Sequence, residues 1–303
     1  MLASCIASAQ PRMSAPVAGY VFDGNASSIR AVVGVPGAAS AGDRVSLNDS
    51  LTVAFLHPSL QLAAGIGKDG SVITANWRDP AHPQQTAIAP RFGKPDRIVF
   101  AASADRALLM NADGVELWSG LSTGSSASAY GYSSVELGGV PRTAALSTDG
   151  ALAAVVLDTA QVVEVSETGI RTVGEGRAAV YSQYTSDLFI LSADGSLSRV
   201  GGDGASLLAS GLAPDAELAS VTGFNGVVAM SGKKGTVSLI DASSGQLTRV
   251  DCGGCSPGRA QTLSTPGILY FENTGHGGLL LDMSSSGSPR IVPLAGIDAW
   301  SNQ

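Results

Sequence analysis

Charge is scarce in this chain. Asp, Glu, Lys and Arg together make up 14% of its 303 residues, against about 25% in a typical globular domain. Lys is rare, the net charge is −7 and the pI is near 4.9. That balance excludes nucleic acid as the main partner, because phosphate binding needs a basic face. It also speaks against an anionic membrane surface. Long hydrophobic runs are absent as well. The stretch ALAAVVL at 151–157 is a typical long one, far short of the ~18 residues of a membrane span, so no transmembrane segment is expected. Helical periodicity is almost missing, no phosphate-binding Gly loop precedes a helix, and no G-x-S-x-G elbow stands out. No charged disordered tail is visible.

Three cysteines are present. Cys252 and Cys255 stand in DCGGC, the two-residue spacer of a redox or metal half-site. A thioredoxin-type motif would open a helix within a βαβ pattern. Here the motif follows an apolar run and precedes Ser-Pro-Gly. A zinc site needs about four ligands, and a second CxxC is absent. A local disulfide in an oxidising compartment is the expected reading; free thiols and a metal or redox half-site are the alternatives. His57, His82 and His276 share no spacing, so no metal site is expected, and no cofactor. Asn25-Ala-Ser and Asn48-Asp-Ser match the glycosylation triplet, a pattern that arises often by chance.

The third cysteine belongs to an unusual start. MLASCIASAQ is small and apolar and runs into PRMSAP. Ala-Ser-Ala before Gln10 fits a small-x-small cleavage pattern, and Leu2-Ala3-Ser4-Cys5 resembles a lipobox whose Cys5 would be lipidated. Both readings lack a basic start and a full apolar core upstream. The expectation is a leader or linker at 1–16, the remnant of an export signal, and hence a periplasmic, secreted or cell-surface protein with a possible lipid anchor. An ordinary loose N-terminus is the alternative.

What the chain does have is repetition. Apolar residues reach 44%, enough for a large core, and Gly, Ala and Ser are abundant. Short runs of Val, Leu and Ala alternate with Gly, Asp, Ser and Asn clusters. Six units begin at Ser50, Arg97, Arg142, Arg177, Glu217 and Arg259, spaced 47, 45, 35, 40 and 42 residues apart. Each reads as four strands. Asp-Gly and Asn-Gly mark the turns (147–150, 224–226, 68–70, 111–114, 193–195), as tight hairpins need positive φ. Those Asp residues are hairpin chemistry before they are calcium ligands, since the dense spacing of a calcium loop is missing. Units of about 40 residues with four antiparallel strands give an all-β propeller.

The first turn at 147–150 and GVELWSG at 114–120 resemble the β-propeller repeat superfamily of WD40-like, YVTN-like and quinoprotein-like blades. The resemblance covers 17–294, and 17–303 is expected to form one domain. The Trp-Asp signature of true WD40 repeats is missing and the quinoprotein Trp motif does not recur. Trp77 and Trp118 are expected on third strands, packing between blades. GYVFDGNASSIRAVV at 19–33 matches the third and fourth strands of a blade, without a first and second. An open ring would leave an unpaired edge, so this N-terminal hairpin is expected to dock beside the C-terminal blade and help close six complete four-stranded blades into a six- or seven-bladed ring. The tail 295–303 is too short to supply two full strands.

The propeller resemblance implies that first strands line the central channel and that their starts lie on the face that usually binds ligands. Arg142, Arg177 and Arg259 begin RTAALS, RAAVYS and RAQTLS, and Arg97 begins a similar run; Glu217 holds the fifth position and Ser50 the first. Four guanidinium forks at one mouth would suit a carboxylate or phosphate and focus a positive potential. The alternative is that they tie down loops by pairing with Asp96, Asp215 or Glu217. No catalytic residue stands out. The expected function is an exported or surface-tethered binding module or scaffold for a protein or small anionic ligand. An exported propeller enzyme of the lyase, lactonase or glycosidase type, or a structural part of an envelope complex, are the alternatives.

Overall fold

The computed structural model describes residues 15–47, 51–79, 82–233, 235–273, 277–284 and 288–297. The Cys5 lipidation site, His276 and the Asn48 triplet lie outside them. The described residues form seven antiparallel sheets, each a meander in chain order. An N-terminal sheet joins β1 (Val17–Asp23), β2 (Ser28–Val33) and β3 (Ser40–Arg44). Blade one is β4 (Leu51–Leu56), β5 (Leu62–Gly67), β6 (Val72–Asn76) and β7 (Gln84–Ile88). Blade two is β8 (Arg97–Phe100), β9 (Arg106–Asn111), β10 (Gly114–Ser119) and β11 (Ala127–Ser133). Blade three is β12 (Pro141–Leu146), β13 (Ala153–Leu157), β14 (Gln161–Ser166) and β15 (Gly169–Glu175). Blade four is β16 (Ala178–Tyr181), β17 (Leu188–Leu191), β18 (Leu197–Gly201) and β19 (Gly204–Ala209). Blade five is β20 (Glu217–Ala219), β21 (Gly226–Ser231), β22 (Thr236–Asp241) and β23 (Leu247–Val250). Blade six is β24 (Pro257–Thr262), β25 (Ile268–Asn273), β26 (Gly277–Asp282) and β27 (Arg290–Leu294).

Burial follows position in the blade. Second strands such as β5, β13 and β21 are buried along their whole length, which is why they read as unbroken runs of Val, Ala, Leu and Ile rather than as alternation. Fourth strands have no buried residue in β11, which is exposed to half-buried, or in β19, which is largely exposed. The core is divided between blades. Leu108, Met110 and Leu117 of blade two pack on Leu146, Val155 and Leu157 of blade three, and similar clusters join each later pair. Blade six meets the N-terminal sheet through Leu280, Leu294, Val21 and Val32. That sheet meets blade one through Phe22, Ile29, Leu51 and Ala54. Every sheet has two neighbours, so seven positions close a ring. Trp118 lies on third strand β10 and Trp77 directly follows β6, both buried between sheets.

The turns behave as their residues suggest. Gly70, Gly150 and Gly195 all have positive φ. In each, the preceding Asp accepts from the backbone two residues on, as Asp69 does from Ser71 N at 2.9 Å and Asp149 from Ala151 N at 3.0 Å. The Ser71 hydroxyl and then its N–H at Asp69, and the backbone N–H and then a serine hydroxyl (Ser147, Ser196) at Asp149 and Asp194, hold these carboxyls below their ordinary pKa.

One assignment is corrected. The hairpin at 19–33 is not the third and fourth strands of a blade. It is followed by β3, whose sequence SAGDR carries no large apolar residue and so gives no strand signal, and it takes inner positions. One helix, α1 (Ser134–Leu137), also escapes the strand pattern. Ser133 and Glu136 cap it reciprocally, Gly138 ends it at φ 82°, and Leu137 is buried between blades two and three.

Candidate functional site: an arginine-rimmed channel

The first strands β4, β8, β12, β16, β20 and β24 surround an axial cavity of about 500 Å³. Arg97, Arg142, Arg177, Arg259 and Glu217, the residues singled out by spacing, all line it. Arg97 and Glu217 open β8 and β20, Arg142 is second in β12, Arg177 directly precedes β16 and Arg259 is third in β24, so each sits at or near the point where the connection from the previous blade enters its first strand. Four arginines face two carboxylates, Asp215 and Glu217, in a chain whose net charge is −7.

The four are not equivalent. Arg259 is engaged: its Nη2 donates to Glu272 Oε1 at 3.0 Å, and its guanidinium lies 4.9 Å from the centre of the Phe55 ring. Arg97, Arg142 and Arg177 make no side-chain hydrogen bond or ion pair among the described residues. Asp215 is occupied by Ser231, whose hydroxyl donates to both carboxylate oxygens at 3.1 and 3.0 Å. Arg142 and Arg177 are exposed and Arg97 is half-buried. Three forks of donors are therefore free at one mouth.

Behind the cavity wall, in the core between blades three and four, stands Tyr181. Its hydroxyl donates to Glu164 Oε2 at 2.9 Å, while Glu164 Oε1 accepts from Arg171 Nε at 2.6 Å. Burial first, and then the Glu164 charge, push the Tyr181 pKa far up, so the phenol stays protonated. Gln183, Gln261 and Phe55 complete the polar and aromatic lining. They were not marked by the sequence pattern, although each lies on or directly beyond a first strand, where alternate residues point to the axis.

The remaining candidates are dispersed. His57 Nδ1 accepts from Ser59 N at 3.1 Å and Leu60 N at 2.9 Å, and Nε2 faces Ala104 O at 3.1 Å. The ring therefore carries its proton on Nε2 and fastens a turn. His82 is exposed and sits 3.0 Å from Asp79. Among the described residues no group of three or more His, Cys, Asp or Glu could hold a metal ion, and no helix is long and apolar enough to cross a membrane. Cys252 and Cys255 are joined by a disulfide with Cα atoms 5.4 Å apart. Gly253 and Gly254 between them have φ of 61° and 83°, a consecutive left-handed pair that glycine tolerates readily. The bridge lies in the connection from blade five to the Arg259 strand.

No protein-family profile and no curated protein sequence matches the chain. Solved structures do. Sqt1 from Chaetomium thermophilum superposes with a TM-score of 0.58 at 14% identity, over 86% of this chain and 76% of that one. Sqt1 from the same organism, bound to the N-terminus of the ribosomal protein L10, gives 0.59 at 15% identity over 93% and 84%. The fold they share with this chain is that of a β-propeller. In all, 1417 chains match, so this propeller shares a common scaffold that by itself selects no partner.

Proposed function

We propose that this propeller is a binding module whose channel mouth takes the carboxylates of an acidic peptide segment. The observation that carries the reading is the trio Arg97, Arg142 and Arg177, free of partners among the described residues and gathered on one cavity. A planar guanidinium satisfies a carboxylate through two parallel bonds. Several guanidinium groups at a concave mouth draw an anion in and hold it. The cavity falls within the usual size range of ligand sites, ~300–1,000 Å³. A peptide fits a ring whose rim is open and whose polar groups are spread around it, and the related fold of Sqt1 has been solved with the N-terminus of ribosomal protein L10.

The test is fluorescence anisotropy with a labelled octaglutamate peptide at low salt, against an octalysine control. Binding should weaken as salt rises. Removing one charged hydrogen-bond partner costs about 1.5–3 kcal/mol, so Arg142→Glu and Arg177→Glu should each raise Kd at least tenfold. An unchanged Kd in the double variant, or equal affinity for octalysine, overturns the reading.

A further inference from the structure

The mouth of the axial cavity carries charge of both signs, sorted by blade. Arg97, Arg142 and Arg177 belong to blades two, three and four, an unbroken arc. Glu217 opens β20 of blade five, and Asp215 stands two residues before it, in the connection that enters that strand. Both carboxylates are exposed and both line the cavity. Glu217 makes no side-chain hydrogen bond or ion pair among the described residues. Asp215 accepts from the Ser231 hydroxyl, a neutral donor that leaves its charge in place.

The cations on either side do not cancel these carboxylates. Arg259 of blade six is held by Glu272 of its own second strand, 3.0 Å away. Arg177 of blade four is the neighbour on the other side, and among the described residues it pairs with neither. Four arginines thus meet three carboxylates, Asp215, Glu217 and Glu272, and the mouth is close to neutral. Such a mouth selects by the placement of its charges and hardly by their sum. Further along the strands the wall is apolar, with Val99, Val180, Leu218 and Ala260, and low-dielectric walls focus the field at a cleft. Salt screens exposed charges beyond about 10 Å, so each bound group responds mainly to the side chains nearest it.

On the acidic-peptide reading above, we propose that the ligand is bipolar: its carboxylates meet the arc of blades two to four, and a basic side chain meets Glu217 and Asp215. A lysine or arginine at blade five faces two carboxylates, whereas a glutamate there is repelled, and repulsion of the wrong group is as selective as attraction of the right one. Glu217 is then a specificity-determining residue. It fixes the direction in which the peptide lies across the channel.

The test replaces one glutamate of the labelled octaglutamate by lysine, at each of the eight positions in turn. The label caps the N-terminus, so the lysine ammonium is the peptide's only cation. One position, or two adjacent ones, should bind at least about threefold tighter than octaglutamate, the size of an exposed ion pair with a repulsion relieved. The other positions should bind no better than octaglutamate. In Glu217→Gln, an exposed substitution that keeps the side chain's size, that gain should vanish while octaglutamate itself binds more tightly. No lysine position better than octaglutamate, an equal gain at all eight, or a gain that survives in Glu217→Gln overturns the proposal and leaves the acidic-peptide reading standing. No binding by octaglutamate or by any lysine variant overturns both.

Discussion

Glu164 shows how a chain poor in charge treats the charges it keeps. Its carboxylate is buried, yet both oxygens are met, one by the Tyr181 hydroxyl and one by Arg171. Tyr181→Phe would leave one oxygen of a buried charge unpaired, so it should cost about 1–3 kcal/mol in urea unfolding. Arg171→Ala should cost less, since that side chain is 71% exposed. His57 obeys the same logic in its neutral form. Burial is the main cause that lowers its pKa below 6.5, against smaller raising effects from the Ala104 bond and the Asp105 charge. Above pH 6.5 both folded and unfolded chains carry the neutral ring, and the stability it contributes is intact. As pH falls below 6.5, the unfolded chain takes a proton that the folded chain resists, and stability drops until the folded pKa is reached. The urea midpoint should therefore fall from pH 7 towards pH 5.5. A His57→Gln variant, weaker at pH 7 because Ser59 and Leu60 N–H lose their acceptor, should lose part of that slope. An identical slope in the two proteins would show that His57 does not cause it.

At the scale of the element, what was legible is what has a local cause. Asp149-Gly150 and Asp194-Gly195 announce hairpins because their backbone and side chain both require it. The runs AAVVL and GVVAMS announce buried second strands because both faces are covered. β3 was illegible because Ser-Ala-Gly-Asp-Arg is held by partners far away: Arg30 Nε and Nη2 bond the carbonyls of Gly42 and Ala41 at 3.1 Å. α1 was illegible because four residues cannot show a helical period; only its capping box marks it. The rim arginines were legible because each recurs within three residues of where a first strand begins, whereas Gln261 and Phe55 come from positions with no repeated residue type. The disulfide loop is an element of its own. Closing about four residues removes little chain entropy, so Cys252→Ser with Cys255→Ser should cost no more than about 2 kcal/mol. Because that loop leads into the Arg259 strand, peptide binding should change less in this variant than in Arg142→Glu. The reverse order would mean that the loop sets the rim.

For the whole molecule the decisive question is closure, and it is decided where the two ends of the chain meet. Six of the seven sheets were legible, but the ring number rested on the seventh, and its evidence is non-local. Ala41 N donates to Ala295 O at 2.8 Å, Arg290 Nη2 to Pro36 O at 3.4 Å, and Arg30 Nη1 to Gly296 O at 2.6 Å. Arg30 concentrates this seam. Besides three carbonyls it meets Asp23, a carboxylate 7% exposed, at 3.3 Å. Removing one partner of a largely buried pair leaves the other charge uncompensated, at a cost of roughly 3–5 kcal/mol. Arg30→Ala should therefore destabilise far more than Arg171→Ala, although each breaks one ion pair. It should do so by opening the ring between blade six and the N-terminal sheet. In limited proteolysis, cleavage near residues 34–44 should precede cleavage elsewhere. Arg30→Ala combined with Asp23→Ala should recover part of the loss, since no buried charge is then left alone. A uniform cleavage pattern, or a double variant no better than the single, would mean that the seam is held by the apolar contacts of Val21, Val32 and Leu280 instead of by Arg30.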